Sequence, residues 1–144
     1  MTLNIKSKAV SPTSFLHLKD AQENLMYTEP DKKGAEKLPV GVNVYGPGSK
    51  EYQAAQTKVN NRAIQRLQKR GGKFEQTAEE KQKEQVHYLA EITHSFENLD
   101  YEGITSGREL ALAVYGDTSI GFVADQVAEF VKDWSNFTQN SVKS

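Results

Sequence analysis

The segment Gly46–Ser49 (GPGS) constrains this chain most, because it separates two different hydrophobic patterns. Before it, Val40, Val42 and Val44 alternate with other residues, as in a half-buried β-strand. After it, apolar residues recur every three or four positions, as in amphipathic helices. We therefore predict an α+β fold, mainly α, in which a small N-terminal antiparallel β-meander precedes a helical domain of about four helices.

The β region is predicted to hold three strands, at residues 14–19, 25–29 and 40–44. The polar segment Asp20–Asn24 predicts a hairpin loop between the first two strands, and Pro30–Pro39 predicts a longer loop. A chain of 144 residues allows one ordinary domain. Within it we expect a flexible N-terminus at 1–12, the β region at 13–48, the helical region at 49–138 and a flexible tail at 139–144.

Capping residues predict where the helices begin. Ser49 is a good N-cap for the first helix, and Gly71-Gly72 is expected to end it. The pairs Thr77/Glu80 and Ser106/Glu109 have the spacing of capping boxes for the second and third helices. The apolar face of the second helix is predicted to continue to Phe96, and Thr118 or Ser119 is predicted to cap the last helix.

The last predicted helix has the strongest helical periodicity, from Ile120 to Phe137. This stripe is about five turns long, which is more than one small domain can bury. We interpret most of the stripe as core. Its far end, around Trp134 and Phe137, is expected to be either partly exposed, where it could bind a protein partner, or buried only against another copy of the chain. The candidate partner-binding residues are Phe122, Phe130, Trp134 and Phe137.

Several kinds of chemistry are poorly supported by the composition. The absence of cysteine excludes a disulfide framework, a thiolate metal site and a cysteine nucleophile. His87, Glu91 and His94 have the spacing to share one face of the second helix and to bind a metal, but we interpret that face as solvent-exposed. We predict no enzyme activity, metal or cofactor.

No apolar run approaches the ~20 residues of a membrane span, so we expect a soluble intracellular protein.

Charge is distributed unevenly along the chain. The net charge is -1 overall, yet residues 51–76 carry six cations and two acids, and residues 77–144 carry five cations and twelve acids. The middle cations define a basic face: Lys58, Arg62, Arg66, Lys69, Arg70 and Lys73. Such a face could bind nucleic acid. Because no aromatic residues interleave with the cations, we favour a face that is solvated or paired with acids.

The order of these features resembles the tail assembly chaperones of tailed bacteriophages. The resemblance covers about residues 14 to 137. It rests on the Asp-led turn at Leu18–Asp20, Tyr45–Ser49 (YGPGS), Asn60–Arg62 (NNR), Thr77–Glu80 (TAEE), Phe96–Leu99 (FENL), Gln126–Phe130 (QVAEF) and Asp133–Phe137 (DWSNF).

The resemblance implies a non-enzymatic assembly factor of a phage or prophage. Such a protein binds the tape measure protein, a very long and largely helical chain, keeps it soluble and helps to recruit tail tube subunits. It acts in the cytoplasm of the bacterial host and is absent from the mature virion.

The separated charges of the chain also favour self-association. Two alternatives are a small nucleic-acid-binding protein that uses the basic face, and a minor structural or connector protein of the virion.

Overall fold

The computed structural model describes residues 1–29, 34, 36–69 and 77–138. Its strands are β1 (Thr13–His17), β2 (Gly41–Tyr45) and β3 (Thr93–Glu97), and its helices are α1 (Lys50–Lys69), α2 (Ala78–Glu91), α3 (Gly107–Gly116) and α4 (Gly121–Lys132). Short 3₁₀ turns lie at Ile5–Lys8, Thr118–Ile120 and Trp134–Phe137. The predicted fold class, α+β and mainly α with a small antiparallel sheet, is confirmed.

The central strand of the sheet is β2, which pairs antiparallel with β1 on one side and β3 on the other. Val42 lies opposite Leu16 of β1 and Phe96 of β3. Val42 and Val44 have no exposed surface, and they belong to one core cluster with the buried residues of the helices. The alternating valines therefore point into the core, as the sequence predicts.

The predicted strand at residues 25–29 is wrong. Residues 25–29 form only isolated bridges, at Leu25 with Lys19 and at Tyr27 with Pro39, although the predicted turn at Asp20–Asn24 is present. The strand that completes the sheet is β3, in a segment predicted to be the end of the second helix. Because β2 would otherwise leave one edge of backbone amides and carbonyls unpaired, pairing with β3 outweighs a further turn of helix.

Two of the predicted helix caps are confirmed. The Ser49 hydroxyl accepts a hydrogen bond from the Tyr52 amide (3.1 Å), and the Thr77 hydroxyl accepts one from the Glu80 amide (3.1 Å). Ser106 precedes α3 but its side chain makes no capping hydrogen bond. Gly71-Gly72 lies outside the described residues.

The start of the last helix also differs from its prediction. Asp117 caps the 3₁₀ turn Thr118–Ile120 by accepting hydrogen bonds from the amide (2.9 Å) and hydroxyl (2.6 Å) of Ser119. The helix α4 begins only after this turn, at Gly121. The predicted cap at Thr118 or Ser119 is therefore wrong, because the aspartate before them takes the capping role.

The end of α4 is the largest departure from the sequence prediction. The helix stops at Lys132, and the Asp133 carboxylate accepts hydrogen bonds from the amide (2.9 Å) and hydroxyl (2.6 Å) of Ser135. The resulting 3₁₀ turn brings Phe137 into the core, where it has no exposed surface. A Cβ atom on Gly46 would lie 2.4 Å from the Phe137 ring, so only glycine allows this contact. The expected exposure of Phe137 is therefore wrong.

We predict opposite outcomes for two neighbouring aromatic residues. Phe137→Ala should lower the free energy of unfolding by about 3–5 kcal/mol, because it removes a fully buried ring. Trp134→Ala should change it by about 1 kcal/mol or less, because that side chain is 56% exposed. Urea unfolding followed by circular dichroism measures both. Equal losses in the two variants would contradict the different environments of the two rings.

Candidate partner-binding groove

The four aromatic residues predicted to bind a partner lie in three environments. Phe122 and Phe130 are half-buried and line an open groove beside α4. Trp134 is exposed, as predicted, but does not line this groove. Phe137 lies beneath, with its ring centroid 5.5 Å from that of Phe130. Phe137 thus supports the surface without being available to a partner.

The groove lies between α4 and the hairpin that follows β1, and it has a volume of about 570 Å³. Leu16, Phe122 and Phe130 supply apolar surface. Lys19 also lines it, together with five carboxylates: Asp20, Glu23, Asp125, Glu129 and Asp133. We call this surface the acidic groove. It combines aromatic area with a concentration of negative charge.

A side-chain amide fixes the two walls of the acidic groove relative to each other. The Gln126 side chain accepts a hydrogen bond from the Lys19 amide (2.7 Å) and donates one to the Lys19 carbonyl (2.8 Å). The amide of Gln126 thus pairs with both backbone groups of Lys19, as the backbone of a neighbouring strand would, and attaches the hairpin to α4. The hairpin itself is held by Asp20, whose carboxylate accepts hydrogen bonds from the amides of Gln22 (2.9 Å) and Asn24 (3.0 Å).

Hydrogen bonding stabilises the charged form of one groove carboxylate, that of Asp133. The side-chain hydroxyl of Ser135, followed by its backbone amide, holds the pKa of Asp133 below its ordinary value. Asp125 and Glu129 are exposed on the same side of α4. Glu129 lies 3.3 Å from Lys132, but both side chains are well exposed and such a pair adds little stability.

The predicted basic face is largely occupied by acids of α2. Lys58 lies 3.1 Å from Glu91, and Glu84 pairs with both Arg62 (2.9 Å) and Arg66 (3.3 Å). Burial alone would raise the pKa of Glu91, but hydrogen bonds from Lys58 and Arg108 outweigh it and lower that pKa. Lys69 is exposed, and Arg70 and Lys73 lie outside the described residues. These pairs reduce the charge that the face could offer to phosphates.

The predicted shared helix face of His87, Glu91 and His94 is wrong, because α2 ends at Glu91. His94 lies in β3, where its ring packs against Tyr45 at a centroid distance of 5.5 Å. Glu91 binds Arg108 (3.0 Å), whose guanidinium also lies 3.3 Å from the His87 ring. Over the described ranges, no group of three or more His, Asp or Glu side chains is arranged to hold a metal ion.

Comparison with protein-family models, with curated proteins and with solved structures returns no match to this chain. The resemblance to tail assembly chaperones therefore stays a prediction from the residues. Within the described part of the chain, none of the helices has the length and apolar character needed to cross a membrane.

Sequence reasoning identified the aromatic residues of α4 but missed the acidic wall of the groove. The excess of acidic residues after residue 77 could have indicated this acidic wall, since three of the five groove carboxylates come from that region. The other two, Asp20 and Glu23, lie in the hairpin, more than 90 residues earlier. Tertiary contacts, among them the hydrogen bonds between Gln126 and Lys19, bring the two sets together.

We predict an acid-dependent loss of stability that Asp133 helps to cause. Because its folded-state pKa is lowered, its contribution is present above the unfolded-state value near 4 and disappears as the pH falls through the folded-state pKa. Asp133→Asn should therefore flatten the decrease in unfolding free energy between about pH 7 and about pH 3. Urea titrations at several pH values measure this dependence.

The matched control for this experiment is Asp125→Asn. Asp125 is exposed, and its carboxylate makes no hydrogen bond within the described residues. The unfolding free energy of the Asp125→Asn variant should therefore vary with pH as that of the wild type does. If the unfolding free energy of Asp133→Asn fell with pH as steeply as that of the wild type, the Ser135 contacts would not stabilise the charged carboxylate.

Proposed function

We propose that this protein is a non-enzymatic tail assembly chaperone of a tailed bacteriophage or prophage. It binds the tape measure protein in the cytoplasm of the bacterial host, keeps that client soluble and helps to recruit tail tube subunits. The observation that supports this proposal best is the acidic groove, whose half-buried Phe122 and Phe130 line an open surface beside α4.

The chemistry of the acidic groove suits a helical client. An amphipathic helix binds a groove by laying its apolar side chains against apolar walls, and Phe122, Phe130 and Leu16 offer such walls. Carboxylates around these walls favour a client segment whose apolar stripe is flanked by Lys or Arg. The same charges repel acidic segments, so they give selectivity as well as attraction.

Trp134 extends the candidate surface beyond the groove. It follows Asp133, which lines the groove, and its ring lies near Gly48, two residues before α1. An exposed tryptophan beside a groove can bury a large apolar area when a partner binds. We therefore keep Phe122, Phe130 and Trp134 as partner-binding residues and omit Phe137.

The nucleic-acid alternative gains no support from the geometry, because Lys58, Arg62 and Arg66 are already paired with Glu91 and Glu84. Counterion release by phosphate binding needs cations that are free to contact the backbone of the nucleic acid. The connector alternative differs from the chaperone in its fate, since a connector remains in the particle.

We predict that reversing charge in the acidic groove abolishes client solubilisation. Co-expressed with the tape measure protein, the wild type should keep that client in the soluble fraction. The double variant Asp125→Lys/Glu129→Lys should remain folded, since both residues are exposed, but should leave the client insoluble. Quantifying the client in soluble and pelleted fractions measures the effect.

The matched control is Glu102→Lys/Glu109→Lys, which makes the same change in net charge at exposed positions outside the groove. It should keep the client soluble. If the groove variant also did so, the client would bind elsewhere. If the wild type failed to solubilise the client, the chaperone proposal itself would be wrong.

We also predict that the protein is absent from finished particles. A chaperone leaves before the tail is complete, whereas a connector or tube component stays at fixed copy number. Mass spectrometry of purified virions should find the tape measure protein without this chain. Stoichiometric recovery of the chain would instead favour the structural alternative.

A further inference from the structure

Residues 1–9 form an arm that is exposed at every position. Its 3₁₀ turn Ile5–Lys8 buries no residue, although Asn4 caps the turn by accepting a hydrogen bond from the Lys6 amide (3.2 Å). Leu3 and Ile5 are 66% and 75% exposed, and Lys6 and Lys8 are the charged side chains of the arm. The arm is thus apolar and cationic, with its apolar side chains uncovered.

The acidic groove has the complementary composition. It offers Leu16, Phe122 and Phe130 to apolar side chains, and carboxylates such as Asp125 and Glu129 to cations. Two surfaces of one chain therefore match in both apolar character and charge. Neither of them is covered by the other within a single copy, because all nine arm residues are exposed.

The arm leaves the domain beside one end of the groove. The Ser11 amide donates a hydrogen bond to the Phe137 carbonyl (2.8 Å), and the neighbouring Asn136 and Asp133 line the groove. With the 3₁₀ turn Ile5–Lys8 retained and the other five residues extended, the arm spans about 25 Å, which is enough to reach a groove on an adjacent molecule. Two copies related by a two-fold axis could then exchange arms reciprocally, which closes the assembly as a dimer.

We infer that the protein forms a homodimer in which the arm of each copy occupies the acidic groove of the other. Leu3 and Ile5 contact the aromatic walls, and Lys6 and Lys8 face the groove carboxylates. This dimer goes beyond the proposed function and does not require it. Where the protein also binds a client in this groove, the arm covers the aromatic surface until the client displaces it.

A charge-swap experiment on the full chain tests the inference. Sedimentation equilibrium of the wild type should give a monomer–dimer equilibrium that weakens at high salt, because the contacting charges are screened. Lys6→Glu/Lys8→Glu and Asp125→Lys/Glu129→Lys should each weaken dimerisation by about tenfold or more, since each places like charges opposite one another. The control Lys81→Glu/Lys83→Glu, at two exposed positions of α2, should dimerise like the wild type.

The decisive sample is an equimolar mixture of the two charge-reversed variants. The acidic arm of one variant then meets the two lysines introduced in the groove of the other, and the unchanged basic arm meets an unchanged acidic groove. A heterodimer should therefore form more tightly than either variant pairs with itself. Circular dichroism confirms that each variant is folded. A wild-type monomer at all concentrations, a dimer insensitive to Lys6→Glu/Lys8→Glu, or a mixture that stays monomeric would each overturn the inference. No client is present, so failure here is separate from failure of the chaperone proposal.

Discussion

The Phe137 ring packs directly on the backbone of Gly46, and this contact joins the parts of the chain from which the candidate site is built. Gly46 follows β2, and its carbonyl accepts a hydrogen bond from the hydroxyl of Ser49 (2.7 Å), the cap of α1. The Phe137 carbonyl accepts a hydrogen bond from Ser11, which fixes where the arm begins. The Phe137 ring supports Phe130 at the groove surface. Because the Phe137 ring contacts both Gly46 and Phe130, and its backbone carbonyl binds Ser11, exposing Phe137 to a partner would break these three contacts.

Local signals in the sequence predicted local structure well. The valine alternation in β2 and the caps at Ser49 and Thr77 depend on neighbours within a few residues, so they can be interpreted without tertiary information. The strand β3 could not be predicted in this way, because residues 93–97 continue a helical pattern and become a strand only beside the open edge of β2. A long-range hydrogen-bonding requirement thus overrides local preference.

The candidate site was predicted in part. Phe122, Phe130 and Trp134 were proposed from the aromatic content of the last helix, and all three reach the surface. The helical periodicity, however, wrongly placed Phe137 on one continuous helix. The missed signal is Asp133-x-Ser135, which repeats the pattern of Asp117-x-Ser119, and in both places the aspartate caps a 3₁₀ turn. An aspartate that can cap two residues ahead competes with the helix even inside an apolar stripe. Periodicity alone therefore overestimates the length of a helix that ends in such a motif.

The acidic groove and the arm together suggest how a small site could select its partner. The apolar part of the groove consists mainly of two half-buried aromatic rings and Leu16, so each groove supplies only modest binding energy. A long client with several similar segments could compensate by engaging the grooves of more than one copy, because linked weak contacts raise the overall affinity. An arm in the groove, as proposed, would set a threshold, since a client segment would have to bind more favourably than Leu3, Ile5, Lys6 and Lys8 to displace it. Apolar segments without flanking cations would then fail to compete, because they gain nothing from the carboxylates that attract the arm.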